Sequence, residues 1–140
     1  MALTDALQEI VDTVGALPGM RISTDDPPEQ IAAFPTAVVY VTGGGFNTGP
    51  FAALNETYTT RIDSIVARAD LKRGNAQLAA RARDIPNALY GKLRAPPATR
   101  FQHILSLGAI SLQMLAATWG GVEVLFYRYE FDLTIQTRLD

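Results

Sequence analysis

Two groups of residues in this chain have the composition of a reactive or binding site. The first is VTGGGFNTGPF, residues 41–51, where four glycines crowd together. A phosphate-cradling loop of the form G-x-x-x-x-G-K-[ST] supplies a lysine for the terminal phosphates and a hydroxyl for magnesium. Gly44 and Gly49 have the required separation, but Pro50 and Phe51 follow them, so both groups are missing. Pro50 also lacks an N–H to donate. The dinucleotide pattern G-x-G-x-x-G fails as well, because the sixth residue counted from Gly43 is Thr48. The stretch reads as a glycine-rich loop, residues 43–55, between two strands, where no helix N-terminus stands ready for a phosphate. Neither ATP nor NAD is expected to bind.

The second group is Glu130 and Asp132, with His103, the only histidine. Two residues apart on one strand, the carboxylates stand about 7 Å from each other, a separation that suits a catalytic pair. Arg128 and Arg138 flank them, however, and alternating charge on a solvated strand face is the simpler reading. No nucleophile elbow accompanies His103, and a triad needs a serine, a histidine and an acid brought together. Asp25-Asp26 precedes Pro27-Pro28 and reads as a turn before a metal site. No catalytic, cofactor-binding or metal-ligating residue is assigned, and no cofactor is expected. An enzyme or small-ligand binder using Glu130, Asp132 and His103 stays as the lesser alternative.

Composition narrows the classes. With 140 residues, 48% hydrophobic and 19% charged, the chain is expected to form one domain over residues 1–140 with a sizeable core. The absence of cysteine excludes a disulfide scaffold, a zinc-thiolate centre and a thiol nucleophile. No apolar run approaches the roughly 20 residues of a membrane span. MALTDALQEI carries acids where a signal peptide carries bases, so folding in the cytosol is expected. The net charge of −2 conceals a split: residues 1–60 hold one base and seven acids, residues 61–100 nine bases and three acids. Such a split fits nucleic-acid binding, head-to-tail contacts between copies, or a solvated helix face.

The elements that would position these groups follow from periodicity. Thr4 is an N-cap candidate, and Leu7, Ile10, Val11, Val14 and Leu17 recur at helical spacing until Pro18-Gly19. MRIS, residues 20–23, suggests a short strand, and IAAF, residues 31–34, a helical turn. TAVVYVT, residues 36–42, is apolar on both faces and predicts a strand covered on both sides. Residues 56–70 alternate as a strand whose phase slips near Ser64-Ile65, where a bulge fits. Residues 74–93 predict a second helix with Leu78, Ala82, Ile85, Leu89 and Leu93 on one face, kinked or split at Pro86. Residues 101–118 fit one helix or two short strands; Gly108 favours strands. After the Gly120-Gly121 turn, Leu125, Tyr127, Tyr129, Phe131, Leu133 and Ile135 alternate with Arg128, Glu130, Asp132, Thr134, Gln136 and Arg138, which predicts a long strand with one buried and one polar face.

The order of ALQEIVDTV, DDPPEQIAAFPTAVVY, a glycine-rich loop with its strand, DIPNALYGKL and GGVEVLFYRYEFDLTIQ resembles the tail terminator and tail-completion proteins of long-tailed bacteriophages over nearly the whole chain. None of these segments is a catalytic motif. The resemblance implies an α+β fold in which a small, mainly antiparallel sheet packs with two helices around one long hairpin loop. It implies a ring, usually a homohexamer, that caps the tail tube at the head-proximal end of the tail. The ring's partners would be further copies of itself, the tail-tube protein and a head-completion or neck protein, with DNA passing through unbound. It implies no enzymatic activity, no cofactor and no membrane, with host cytoplasm as the place of assembly. In that setting Arg68, Lys72, Arg73, Arg81 and Arg83, together with Phe46, Phe51 and Leu54 of the glycine loop, become candidate subunit or partner contacts. Glu130, Asp132 and Gln136 become candidates for the lumen face. Another neck connector or a tail-tube subunit is the nearer alternative.

Overall fold

The structure is a computed structural model and describes residues 2–18, 20, 22–25, 36–48, 53–67, 82–119 and 121–138. Helix α1 runs Ala2–Gly15, followed by strands β1 (Ile22–Thr24), β2 (Thr36–Thr48) and β3 (Ala53–Ala67). Helix α2 covers Asp84–Leu93, and strands β4 (Ser106–Leu107), β5 (Ser111–Trp119) and β6 (Val122–Arg138) complete the order. This is the expected α+β class: two helices on a curled, mainly antiparallel six-stranded sheet.

The helices form where apolar residues recur at helical spacing. In α1, Ala6, Ile10, Val11 and Val14 are buried, and Asp5 lies in the first turn, where a negative charge suits the helix dipole. The helix begins at Ala2, so Thr4 lies inside it and does not cap it. In α2, Ile85 and Leu89 are buried. Pro86 is tolerated because it occupies the third helical position, where an N–H has no intrahelical acceptor. Of the expected longer helix, residues 74–81 lie outside the described residues, as do the helical turn at 31–34 and the end of the 56–70 strand.

The sheet is built on β3 and β6. They pair antiparallel along all fifteen residues of β3, from Ala53 opposite Arg138 to Ala67 opposite Val124. β2 pairs antiparallel with β3 on one side, and β1 adds a parallel rung at Thr36–Val38. On the other side, β6 is shared: β5 pairs with its first half and β4 with Leu133 and Thr134. The segment 101–118 thus supplies strands, separated at Gly108, and β5 and β6 form a hairpin across residues 120–121, where Gly121 has φ +81°. That positive φ suits a two-residue hairpin turn.

One face of the sheet carries the core. Val39, Ile62, Tyr129, Phe131, Leu133 and Ile135 meet Ile10 and Val14 of α1, Leu89 of α2, and Phe101 and Ile104 of the connecting segment. Each fully buried aliphatic side chain of this kind contributes roughly 1.5–3 kcal/mol. The opposite face holds a second cluster of Val38, Ile65, Val124 and Phe126. The start of β2 is therefore covered on both sides, as its apolar run predicts. Ser23 Oγ donates to the Val11 carbonyl (2.8 Å), Tyr129 Oη to the Ala82 carbonyl (3.0 Å) and Tyr90 Oη to the Gly108 carbonyl (2.8 Å), tying the helices and their flanks to the sheet.

Two expectations are corrected. The glycines of residues 43–45 are not in a loop: Gly43, Gly44 and Gly45 are paired with Thr59, Tyr58 and Thr57. The hairpin is long in its strands, and residues 49–52 between them lie outside the described residues. The bulge, moreover, is not at Ser64-Ile65. Pairing there is continuous, and the alternation fades only because both faces are buried from Ile62 to Val66. The bulge falls in β2, where Val41 pairs with Thr60, Gly43 pairs with Thr59, and Thr42 is the extra residue. An extra residue exchanges the faces of everything beyond it. It places Gly44 and Phe46 on the helix-bearing side.

Candidate functional site

The polar face of β2, β3 and β6 carries cross-strand pairs. Arg61 and Glu130 are register partners, and Arg61 Nε donates to Glu130 Oε2 at 2.6 Å. Asp63 and Arg128 are the next partners along: Arg128 Nε and Nη2 donate to the two carboxylate oxygens at 3.0 and 3.3 Å. Tyr40 adds a third bond to Asp63, its hydroxyl donating to Oδ2 at 2.8 Å. The Asp63 side chain is only 3% exposed, so this carboxylate depends on its three donors for the solvation it has lost. Arg128 also lies over the Phe126 ring, 5.3 Å from the centroid. Burial, reinforced by the bond to Asp63, raises the Tyr40 hydroxyl above its ordinary range. The bonds to Glu130 and to Asp63 hold Arg61 and Arg128, respectively, still more firmly protonated.

The candidate lumen residues lie on this face. Glu130 is engaged by Arg61, and Asp132 accepts a long bond from Thr59 Oγ1 (3.4 Å). Gln136 occupies the register position opposite Asn55, and its side chain is outside the described residues. With Arg61 and Arg128 interleaved, the described face mixes both signs and is not a uniformly acidic surface.

His103 is elsewhere. Glu9 of α1 accepts the backbone N–H of Gln102 and of His103 (both 2.7 Å), and its Oε1 lies 3.0 Å from His103 Nδ1. Asp5 Oδ2 stands 3.9 Å from the other ring nitrogen. Because α1 packs on the opposite side of the sheet, His103 is not brought to Glu130 and Asp132. It belongs to a clasp that fastens the segment around the buried Phe101 and Ile104 to α1. Among the described residues, no three His, Cys, Asp or Glu side chains gather as a metal site. No described helix is long and apolar enough to cross a membrane.

The candidate contact residues divide. Arg68, Lys72, Arg73, Arg81 and Phe51 lie outside the described residues. Arg83 is exposed just ahead of α2 and makes no capping bond. Leu54 is half-buried within β3. Phe46 is 67% exposed on β2 and meets Tyr58 edge to face, with centroids 6.1 Å apart. Tyr58 donates to Glu56 Oε1 at 2.6 Å, and burial together with that carboxylate pushes its hydroxyl up to about 12.

Sequence reasoning missed Tyr40, Arg61, Asp63, Glu9 and Tyr58. A signal for Arg61 and Asp63 existed: RID at 61–63 and RYE at 128–130, laid antiparallel, place each arginine opposite an acid. No protein-family model matches the chain, and no curated protein matches it.

Proposed function

We propose that this chain is a structural virion protein, a tail terminator subunit that caps the phage tail tube as a ring and forms the tail side of the head-tail joint. The observation that carries the reading is a two-sided sheet. Its helices cover one face, while the other presents ion-paired polar side chains along the long strands β3 and β6. In a ring, a polar face that none of the described helices covers suits a wet lumen, and paired charges there would let DNA pass without holding it. The order of sequence segments that resembles the tail terminators, from α1 to the β6 strand, supports the same reading. The ring would be built from copies of this chain, six in number by that resemblance, stacked on the tail-tube protein and docked on a neck protein. It needs no cofactor.

Electron microscopy of the purified protein mixed with tail tubes tests this. A terminator gives one ring at one tube end and stops further growth. Long tubes formed from the chain alone would make it a tube subunit instead. Absence from tube ends, with binding to the head vertex, would make it a head-completion protein.

A further inference from the structure

The margins of the sheet are unusually open. Among the described residues, β1 is the only strand on the outer side of β2, and it reaches only Thr36–Val38. Among the described strands, β5 pairs with β6 and with nothing on its other side. Rows of unpaired N–H and C=O groups are templates for another strand, and proteins that stay apart blunt them with lysine, proline or inward charges. Neither YVTGGGFNT, residues 40–48, nor SLQMLAATW, residues 111–119, contains a charged residue or a proline.

The same margins hold three of the four large apolar side chains exposed among the described residues, the fourth being Leu105 just ahead of β4. Phe46 is 67% exposed, Met114 59% and Leu112 49%. Register places all three on the helix-bearing face: Phe46 pairs with Glu56, which is opposite Ile135, while Leu112 and Met114 are opposite Tyr129 and Tyr127. The two patches are thus at opposite margins but on one face, so they suit a head-to-tail contact and not a self-complementary one.

We infer that copies of this chain join edge to edge, β5 of one copy pairing with the outer side of β2, residues 40–48, of the next. Strand direction permits it. β2 runs opposite to β3, β3 opposite to β6 and β6 opposite to β5, so β2 and β5 are antiparallel. A neighbour generated by rotation about an axis inclined to the strands still offers its β2 antiparallel to β5, and the inclination supplies the stagger this pairing needs. Within one subunit Asn47 is level with Gln136 of β6 and Gln113 with Arg128, about 27 Å away along the strand. Setting Phe46 opposite Met114 buries two exposed apolar side chains together. It also places Asn47 opposite Gln113 on the polar face and Thr48 opposite Leu112. The bulge at Thr42 is what makes this possible, since without it Phe46 would lie on the polar face. The inference rests on the ring reading for closure and adds which surfaces meet.

The chain has no cysteine, so disulfide trapping is clean. The double variant Asn47→Cys with Gln113→Cys is oxidised, beside Asn47→Cys with Ser111→Cys for a register two residues away. Within one subunit these positions are three strand spacings apart across the sheet, about 14 Å, and a further six to eight residues apart along it, far beyond the roughly 7 Å a disulfide can bridge. A bond must therefore join two copies. One double variant should give a ladder of covalent multimers on a non-reducing gel, a mixture of its two single variants should give dimers only, and the exposed control pair Gln8→Cys with Thr99→Cys should give neither. In parallel, Phe46→Lys should reduce the assembly to the 15.2 kDa subunit with its melting temperature lowered by only a few degrees, since the exposed ring's contact with Tyr58 is all that the subunit loses. Adding Met114→Glu should restore assembly by cross-strand charge pairing. Rings that persist in Phe46→Lys without either crosslink overturn the edge pairing and leave the ring reading standing. Crosslinked filaments that never close keep the edge pairing and overturn the terminator. A wild-type chain that stays monomeric on tail tubes, with no crosslink, overturns both.

Discussion

Tyr58 lies across the backbone of Gly44 on the neighbouring strand: a Cβ at Gly44 would stand 2.7 Å from the ring's Cδ1 and 2.7 Å from the Thr57 carbonyl oxygen. The aromatic ring fills the space that a side chain at Gly44 would take, and it meets Phe46 two residues on. Gly44→Ala should therefore destabilise the fold by about 1–3 kcal/mol, the usual cost of overpacking. Gly45→Ala has nothing within 4 Å to clash with. It should be neutral or stabilising by up to about 1 kcal/mol, because glycine weakens a strand through its freedom when unfolded. Urea melts of the two variants beside wild type check the contrast.

Asp63 should be the most sensitive polar residue of the sheet. Arg128→Met removes two of its three donors and leaves a buried carboxylate with Tyr40 alone. Breaking a buried pair from one side costs about 3–5 kcal/mol. Adding Asp63→Leu to that variant should recover much of the loss, because no charge is then left unpaired. A double-mutant cycle by chemical denaturation measures the coupling.

Alkaline pH should unfold the protein through Tyr129. Burial, followed by the charges of Tyr127 and Asp84, pushes its hydroxyl up to about 12 from an unfolded value of 10.0. Below pH 10.0 folded and unfolded chains both hold the proton, so this group adds no slope. Between 10.0 and about 12 only the folded chain holds it, and stability falls by about 1.4 kcal/mol per pH unit. Tyr129→Phe should lower stability at neutral pH by losing the bond to the Ala82 carbonyl, and it should flatten the alkaline slope. Denaturant melts from pH 9 to pH 12 separate the two effects.

Glu9 holds two backbone N–H groups of the segment that follows α2. Glu9→Ala should cost about 1–2 kcal/mol and release the Gln102 and His103 amides to solvent. Hydrogen exchange should show that loss of protection at those two amides, with the sheet amides unchanged.

Arg83→Glu should barely move the stability of the subunit, since the residue is exposed and makes no capping bond. If the basic stretch faces a partner in the assembled ring, the same change should slow assembly most at low salt, where screening is weakest. Light scattering over a salt series reads both effects.

Much of the fold was legible because its signals are local. The stripe of Leu7, Ile10, Val11, Val14 and Leu17 and the alternation from Leu125 to Ile135 each follow from a single period. The split of 101–118 into strands was legible at Gly108. The glycine run was not, since three consecutive glycines look like a loop until a strand lies opposite them. Tyr58, fourteen residues beyond Gly44, is what makes glycine necessary there, and no local pattern connects the two. The polar pairs were hidden for the same reason. Arg61 and Glu130 each look like an ordinary solvated charge, and only the β3–β6 register makes them partners.

That register also sets the order in which the molecule can be made. The residues paired between β3 and β6 are 57 positions apart at the near end, Ala67 to Val124, and 85 at the far end, Ala53 to Arg138. Contacts of such long sequence separation slow folding, because the chain must close large loops before the pairing rewards them. A nascent chain can zip β2 to β3 early, but β6 leaves the ribosome after every strand it joins. Until then the inner edge of β3 and the apolar face of the hairpin are bare. The newly made subunit thus passes through a period in which a neighbour's strand can take the place of its own, and β6 must win that competition before the subunit is ready to assemble.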